Sequence, residues 1–335
     1  MQLLLFFLCL ASISALNISI SYEASVAQAP SGFKPGVQTA VSWLQAKIST
    51  PVTVYIAVGY GDVNHTALGA NQLGESMYEL YLTDYRSIVE TLQSTATSIN
   101  DATSLGSLPI GDPLHGSHQY VVSSALAKAL ANVSSAALDG WTGFSSEQNT
   151  FDYDPSDGIT AGLYDFVAVV KHELSEILGR ETLNGQLVAG VASYTVGDLF
   201  RFSSAGLRSF DGTQAAYFSI DSGTTDLNNF NTDSTGDYGD WANGAADAAN
   251  AFESPGVLEP FSDVDLIFMD VIGWSLLAPN ITSPAVAVPV SDAGLNVTAL
   301  AGGLLGALLG VLLVCWIVIH CNERKEKYSK VAATT

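Results

Sequence analysis

Basic residues are scarce in this chain. Twelve Lys and Arg stand against 33 Asp and Glu in 335 residues, for a formal net charge of −21. Four of those bases (Arg324, Lys325, Lys327 and Lys330) sit in the last segment beside Glu323 and Glu326, so everything before it carries 8 bases against 31 acids. A surface of that sign repels phosphate backbones and anionic lipid, which excludes nucleic acid as a partner and electrostatic docking to a membrane. It suits an acidic, soluble exterior or the binding of cations. Cysteine is rarer still: Cys9, Cys315 and Cys321 all lie near the ends, leaving nothing between them for a disulfide, a thiolate metal cluster or a cysteine nucleophile. Histidine is limited to His65, His115, His118, His172 and His320. No internal repeat is evident.

The long apolar runs are confined to the two ends. Residues 1–15, MQLLLFFLCLASISA, form an apolar stretch closing on small residues, the outline of a secretory signal peptide. Residues 276–297 are rich in Pro, Ala, Val and Ser and read as a stalk. Residues 298–320 include an uncharged stretch, Ala299 to Ile319, long enough to span a bilayer, and residues 321–335 supply a basic cytoplasmic flank. The expected topology is a single-pass type I membrane protein anchored through its own C-terminal helix. Residues 16–275 then form an extracellular or lumenal domain. Gly302, Gly306 and Gly310 make a small-residue ridge suited to pairing two such helices as a homodimer. Asn17, Asn64, Asn132, Asn280 and Asn296 each open an N-x-Ser/Thr sequon, as expected of a glycoprotein.

Within the domain, helices are expected over 35–47, 83–102, 119–133, 164–180 and 262–274. Strands are expected over 53–60, 199–202 and 215–220, with a strand or loop near Phe151. The predicted fold class is α+β. The most informative stretch is Tyr164 to Arg180, YDFVAVVKHELSEILGR. Phe166, Val167, Val170, Leu174, Ile177 and Leu178 recur at helical spacing, Asp165 can cap the start, and Gly179 suits a left-handed C-terminal residue. On that helix His172 and Glu176, four apart, project side by side with Glu173 about 100° further round. Two ligand-type side chains with an acid beside them form the geometry of H-E-x-x-H zinc hydrolases, with glutamate in place of the second histidine.

The chain resembles the zincin metalloproteases of the metzincin type. More closely, it is similar to secreted or surface-anchored bacterial metalloproteases that share H-E-x-x-E-x-x-G-R. The resemblance rests on His172 to Arg180, on Asp198-Leu-Phe-Arg, Gln214-Ala-Ala-Tyr-Phe-Ser-Ile-Asp, Leu227-Asn-Asn-Phe-Asn and Gly239-Asp-Trp, and on the closing Gly273-Trp274. It implies a two-lobed catalytic domain around an active-site helix and a zinc-dependent endopeptidase acting on protein or peptide substrates. His172 and Glu176 would be metal ligands, and Glu173 the general base toward the water that attacks the peptide bond. Thr182 stands where the longer metzincin pattern has a third histidine, and a hydroxyl is a poor zinc ligand.

The missing ligand is then expected to be an acid. Asp198 is the first choice, with pairing to Arg201 or a strand-end cap as its structural role; Asp237 and Asp240 come next. Divalent metals other than zinc are compatible with such a set. Calcium is a further candidate cofactor, at Asp226 and Asn228 with Asp237 and Asp240, or at Asp152, Asp154 and Asp157. The competing functional reading is a non-catalytic, zincin-like surface or adhesion module.

Overall fold

The computed structural model describes residues 15–131 and 135–277. The expected signal, span and tail fall outside those residues, as do Asn132, Asn280, Asn296, Gly302, Gly306 and Gly310. No helix among the described residues is long and apolar enough to cross a membrane. The fold is mixed α+β, as expected.

Alternating and continuous apolar runs dictate the first layer. Strand β1 (Asn17–Tyr22) is followed by helix α1 (Phe33–Gln45) and strand β2 (Thr53–Tyr60), in which Val54, Ile56 and Val58 are fully buried. Strand β3 (Gly74–Tyr78) leads into β4 (Leu80–Thr83) and the helices α2 (Tyr85–Thr95) and α3 (Ile99–Ser107). Next come β5 (Gln119–Ser123), α4 (Ser124–Ala131) and β6 (Gly140–Phe144). The main sheet has the order β1-β2-β6-β3. The first three strands are parallel and β3 is an antiparallel edge, in register Gly74↔Phe144 through Tyr78↔Gly140.

Helix α5 (Phe166–Ile177) packs beside α1 and against β3. Phe33 of α1, Phe144 of β6 and Phe166 of α5 meet with ring centroids 5.1–6.0 Å apart, all three fully buried. Burial of each such ring contributes about 1.5–3 kcal/mol.

After α5 regular structure thins to short strands. They include β7 (Val191–Tyr194), β8 (Arg201–Ser204), β9 (Leu207–Arg208), β10 (Tyr217–Phe218) and β11 (Asn228–Asn229). Strands β8 to β11 form one antiparallel sheet of order β9-β8-β10-β11. Helix α6 (Asp263–Val271) closes the domain, started by a reciprocal capping box between Ser262 and Asp265. Beyond it the chain returns to the start of β2. Ser49 donates from N–H and Oγ to the Ser275 carbonyl at 2.8 and 3.0 Å, and Leu276 bridges Ile48, whose carbonyl also accepts from the Leu16 N–H.

Two expected helices differ. The helix predicted over 83–102 is broken by Ser98, which caps α3 with Asp101 in a capping box. The helix predicted over 119–133 begins as a strand, because Tyr120, Val121 and Val122 are buried together between β4 and β7.

Candidate functional site

Helix α5 starts and stops where its sequence requires. The Asp165 carboxylate accepts from the Ala168 N–H at 3.0 Å, closing the first turn. Gly179 adopts φ 97°, and Arg180 N–H reaches back to the Ser175 carbonyl at 2.9 Å, the wide turn that only a left-handed residue allows. Between these ends the helix is buried on nearly every side, so His172, Glu173 and Glu176 are held by packing rather than displayed to bulk water.

His172 and Glu176 face each other across one turn, with Nε2 to Oε1 at 3.6 Å. The third member of the group is Asp240, whose Oδ1 lies 3.5 Å from His172 Nε2. One ligand atom from each of His172, Glu176 and Asp240 lies within 4.8 Å of the others. The outer contacts fix these three. His172 Nδ1 is 2.9 Å from the Ala248 carbonyl, which accepts its proton and leaves Nε2 toward the centre. Ser76 Oγ of β3 donates to Glu176 Oε2 at 2.5 Å. Arg180, fully buried, lies 3.8 Å from Asp240 Oδ1 and donates to Asp265 Oδ1 at 3.0 Å. Its guanidinium is stacked over Trp241 at 4.6 Å, and the Trp241 indole N–H donates to the same Asp265 oxygen at 2.8 Å.

Asp198, the first choice for the third ligand, is not in this group. Its carboxylate is fully buried and accepts from the backbone N–H groups of Leu183, Asn184 and Thr195 at 3.0, 2.8 and 2.6 Å, and from the Thr195 hydroxyl. It ties together the turn that follows α5. Nor does it pair with Arg201, which donates to the carbonyls of Tyr238 and Gln214 at 3.1 and 3.0 Å.

Those contacts of Arg201 explain how Asp240 arrives. They hold the 237–241 loop from one side, and on the other a Cβ on Gly239 would come within 2.7 Å of the Thr182 amide nitrogen. The loop thus lies directly on the backbone of Thr182, the position where the metzincin pattern has histidine. The aspartate beside that glycine reaches the centre in its place.

Glu173 lies next to the trio but turns toward β3. A Cβ on Gly74 would sit 2.5 Å from Glu173 Oε1, so the strand approaches the carboxylate as closely as glycine permits. Both line a cleft of about 990 Å³. Residues 67–75 form one wall, residues 235–240 and 250–253 the other, and His172 and Glu173 the floor.

Electrostatics follow from the crowding of acids. Burial holds Glu173 well above the ordinary carboxylate range, and the charges of Glu176, Asp237 and Asp240 push it further. Burial also raises Asp240, to about 7, against the pull of His172 and Arg180. For His172 burial acts downward but is outweighed by Asp240 and Glu176, which hold it well above its usual value. Three carboxylates and one imidazole converge here with a single buried guanidinium that is already engaged by Asp265. Such a donor set fits a divalent cation, and mixed imidazole–carboxylate ligation accommodates zinc or a harder ion such as manganese.

The other expected sites stay apart. His118 is held by Asp112 at 2.9 Å and by the Gly116 carbonyl, away from the His172 group. Asp152 accepts from Thr160 and Asp154 within its own loop. Among the described residues, neither Asp152, Asp154 and Asp157 nor Asp226 joins a convergent acidic or histidine group. Comparison with family models, with curated proteins and with solved structures gives no match for this chain.

Proposed function

We propose that this domain is a metal-dependent endopeptidase of the zincin type, with His172, Glu176 and Asp240 as metal ligands and Glu173 as general base. The observation that carries the reading is the convergence of three ligand atoms beside a buried carboxylate on the floor of an open cleft. A bound divalent ion would supply Lewis acidity toward a carbonyl and toward water.

The chain's own groups do the rest. Glu173, beside the three ligand atoms on the cleft floor, accepts a proton from water and passes it to the leaving amine. Ser76 and Arg180 hold the outer oxygen of Glu176 and the Asp240 carboxylate in place. Strand β3 pairs only with β6, and no strand among the described residues pairs its other side, where Gly74 and Glu75 border the cleft. An extended peptide laid along that edge would gain backbone hydrogen bonds and bring one carbonyl over His172 and Glu173. The acidic composition and a cleft of about 990 Å³ favour a polypeptide over a small anionic metabolite.

A second reading is a non-catalytic surface module in which protonated His172 is paired with Glu176 and Asp240 and no metal is needed; their 3.5–3.6 Å separations permit it. Metal analysis and proteolysis by the full-length protein separate the two. The peptidase should hold divalent metal at the centre and cleave an unfolded protein, Glu173→Gln should keep the metal and lose turnover, and His172→Ala should lose both. Glu173→Gln protein as active as the parent would defeat the mechanism, and retention of all metal by His172→Ala would favour the surface module.

A further inference from the structure

A second group of ligand-type side chains lies away from the cleft floor. Residues 62–67 form a tight hairpin, Asp62–Val63 against Thr66–Ala67, whose two turn residues Asn64 and His65 both have positive φ (45° and 60°). The hairpin is seated on the main sheet by two glycines. A Cβ on Gly59 of β2 would meet the Asp62 carbonyl at 2.2 Å, and one on Gly143 of β6 would meet it at 2.0 Å. Asp62 is thereby fixed beside Glu23, the residue that follows β1 and whose N–H donates to the Val58 carbonyl at 2.8 Å.

The chemistry there is incomplete. The Glu23 side chain is 7% exposed, and its Oε2 is buried with no hydrogen-bond partner. Oδ1 of Asp62 is likewise buried and unpartnered. A buried polar oxygen left without a partner costs about 1–3 kcal/mol, and more when it is charged. His65 brings Nδ1 to 3.9 Å from Glu23 Oε2, and the ligand atoms of Glu23, Asp62 and His65 all lie within 4.8 Å of one another. The His65 ring is 80% exposed, so an ion pair to it is weak compensation for two buried oxygens.

We infer that Glu23, Asp62 and His65 form a second divalent-metal site, separate from the cleft floor, that staples the 62–67 hairpin to the end of β1. One imidazole and two carboxylates select a transition-type ion, zinc or manganese, over calcium or magnesium, which take oxygen donors. The open side of the site leaves room for water to complete the shell. The outgoing hairpin strand runs straight into residues 67–74, the wall of the cleft that ends at Gly74 against Glu173. Metal here orders that wall and so sets how β3 presents its edge.

The test counts metal in the full-length protein after stripping with chelator and reloading with zinc. Wild type should hold about two ions per chain, and His65→Ala about one. The substitution keeps the Asn64-x-Thr66 sequon, so any glycan there is unchanged, and it alters an exposed side chain. Glu23→Gln should likewise lose one ion. His172→Ala should lose the other, and the His65→Ala/His172→Ala double variant both. Should His65→Ala and Glu23→Gln each hold as many ions as wild type, the second site is overturned. Retention by His172→Ala alone, with one ion lost in His65→Ala, would leave this site standing and remove the one on the cleft floor.

Discussion

The chain before α5 and the chain after it reach a buried interior by different means. Before α5, long strands and helices bury aliphatic and aromatic side chains at regular spacing, and the fully buried polar contacts are few, chief among them the 2.6 Å pair of Lys128 and Asp139. After α5, strands span only two to four residues, and buried Arg180, Asp198, Arg201, Asp240 and Asp265 organise the loops through side-chain hydrogen bonds. In the first half packing is spread over many apolar neighbours of a core that continues into the rest of the domain. In the second half each charge depends on a named partner, and the third candidate ligand hangs from that network.

Removing a charge from the network should therefore have the largest effect. Arg180→Met leaves Asp265 buried and Asp240 without its cation, a loss of about 3–5 kcal/mol. At about 2–4 °C per kcal/mol, thermal unfolding should fall by roughly 10 °C. Adding Asp265→Asn, which removes the orphaned charge while an amide oxygen can still accept from the Trp241 indole, should recover part of it. A double variant no more stable than the single would show that the charges are not coupled. In the first half, Ile56→Ala should cost about 3 kcal/mol through a cavity in β2 while leaving metal content unchanged. Metal loss in that variant would mean the two halves are not independent.

Asp198→Ala should cost about 2–3 kcal/mol, because three backbone N–H groups lose their acceptor, again with metal retained. Asp240→Ala, by contrast, should lose metal; the reverse pattern between these two would restore Asp198 as the ligand. Gly74→Ala should cost about 1 kcal/mol or more, because the added methyl displaces the buried Glu173 carboxylate, and turnover should drop at least about tenfold at unchanged metal content. The smallest effect concerns acid stability. The Thr160 hydroxyl, ahead of the Thr160 and Asp154 amides, holds Asp152 below the usual carboxylate range. Its contribution is thus present above the unfolded pKa and lost as pH falls through the lower folded value. Thr160→Val should flatten that acid limb by less than about 1 kcal/mol, as expected near the surface.

The same contrast explains what the sequence revealed. Helix α5 was legible to within three residues because its apolar spacing, its Asp165 cap and its Gly179 stop are all local signals, and His172, Glu173 and Glu176 came with it. Helix α6 was legible through Ser262 for the same reason. The break at Ser98 was also written locally, as Ser98-x-x-Asp101, but it lay inside a longer run that favoured one helix. Tyr120 to Val122 gave an apolar run whose partner strands lie far away in sequence, so its strand character was not visible. Asp240 was harder still. Its position depends on Gly239 lying against Thr182, on Arg201 holding the Tyr238 carbonyl and on Arg180 behind it, none of which is adjacent in the chain. The one available hint was the pair of glycines in Gly236-Asp-Tyr-Gly-Asp-Trp, which marks a close backbone approach. Glu23, Asp62 and His65 likewise come together only through packing on Gly59 and Gly143.

The meeting of Leu16, Ser275 and Leu276 around Ile48 and Ser49 has a mechanical consequence. A pull on the chain beyond Leu277 meets first the Leu277–Lys47 and then the Ser49–Ser275 hydrogen bonds, and a pull on the chain before Leu16 enters at Ile48, between them. Tension between the two ends is therefore carried across a few residues at the foot of β2. The Trp274 indole N–H, one residue before Ser275, donates to the Leu178 carbonyl at the end of α5 at 2.9 Å, so load applied beyond Leu277 passes within a few residues to the helix that bears His172 and Glu176.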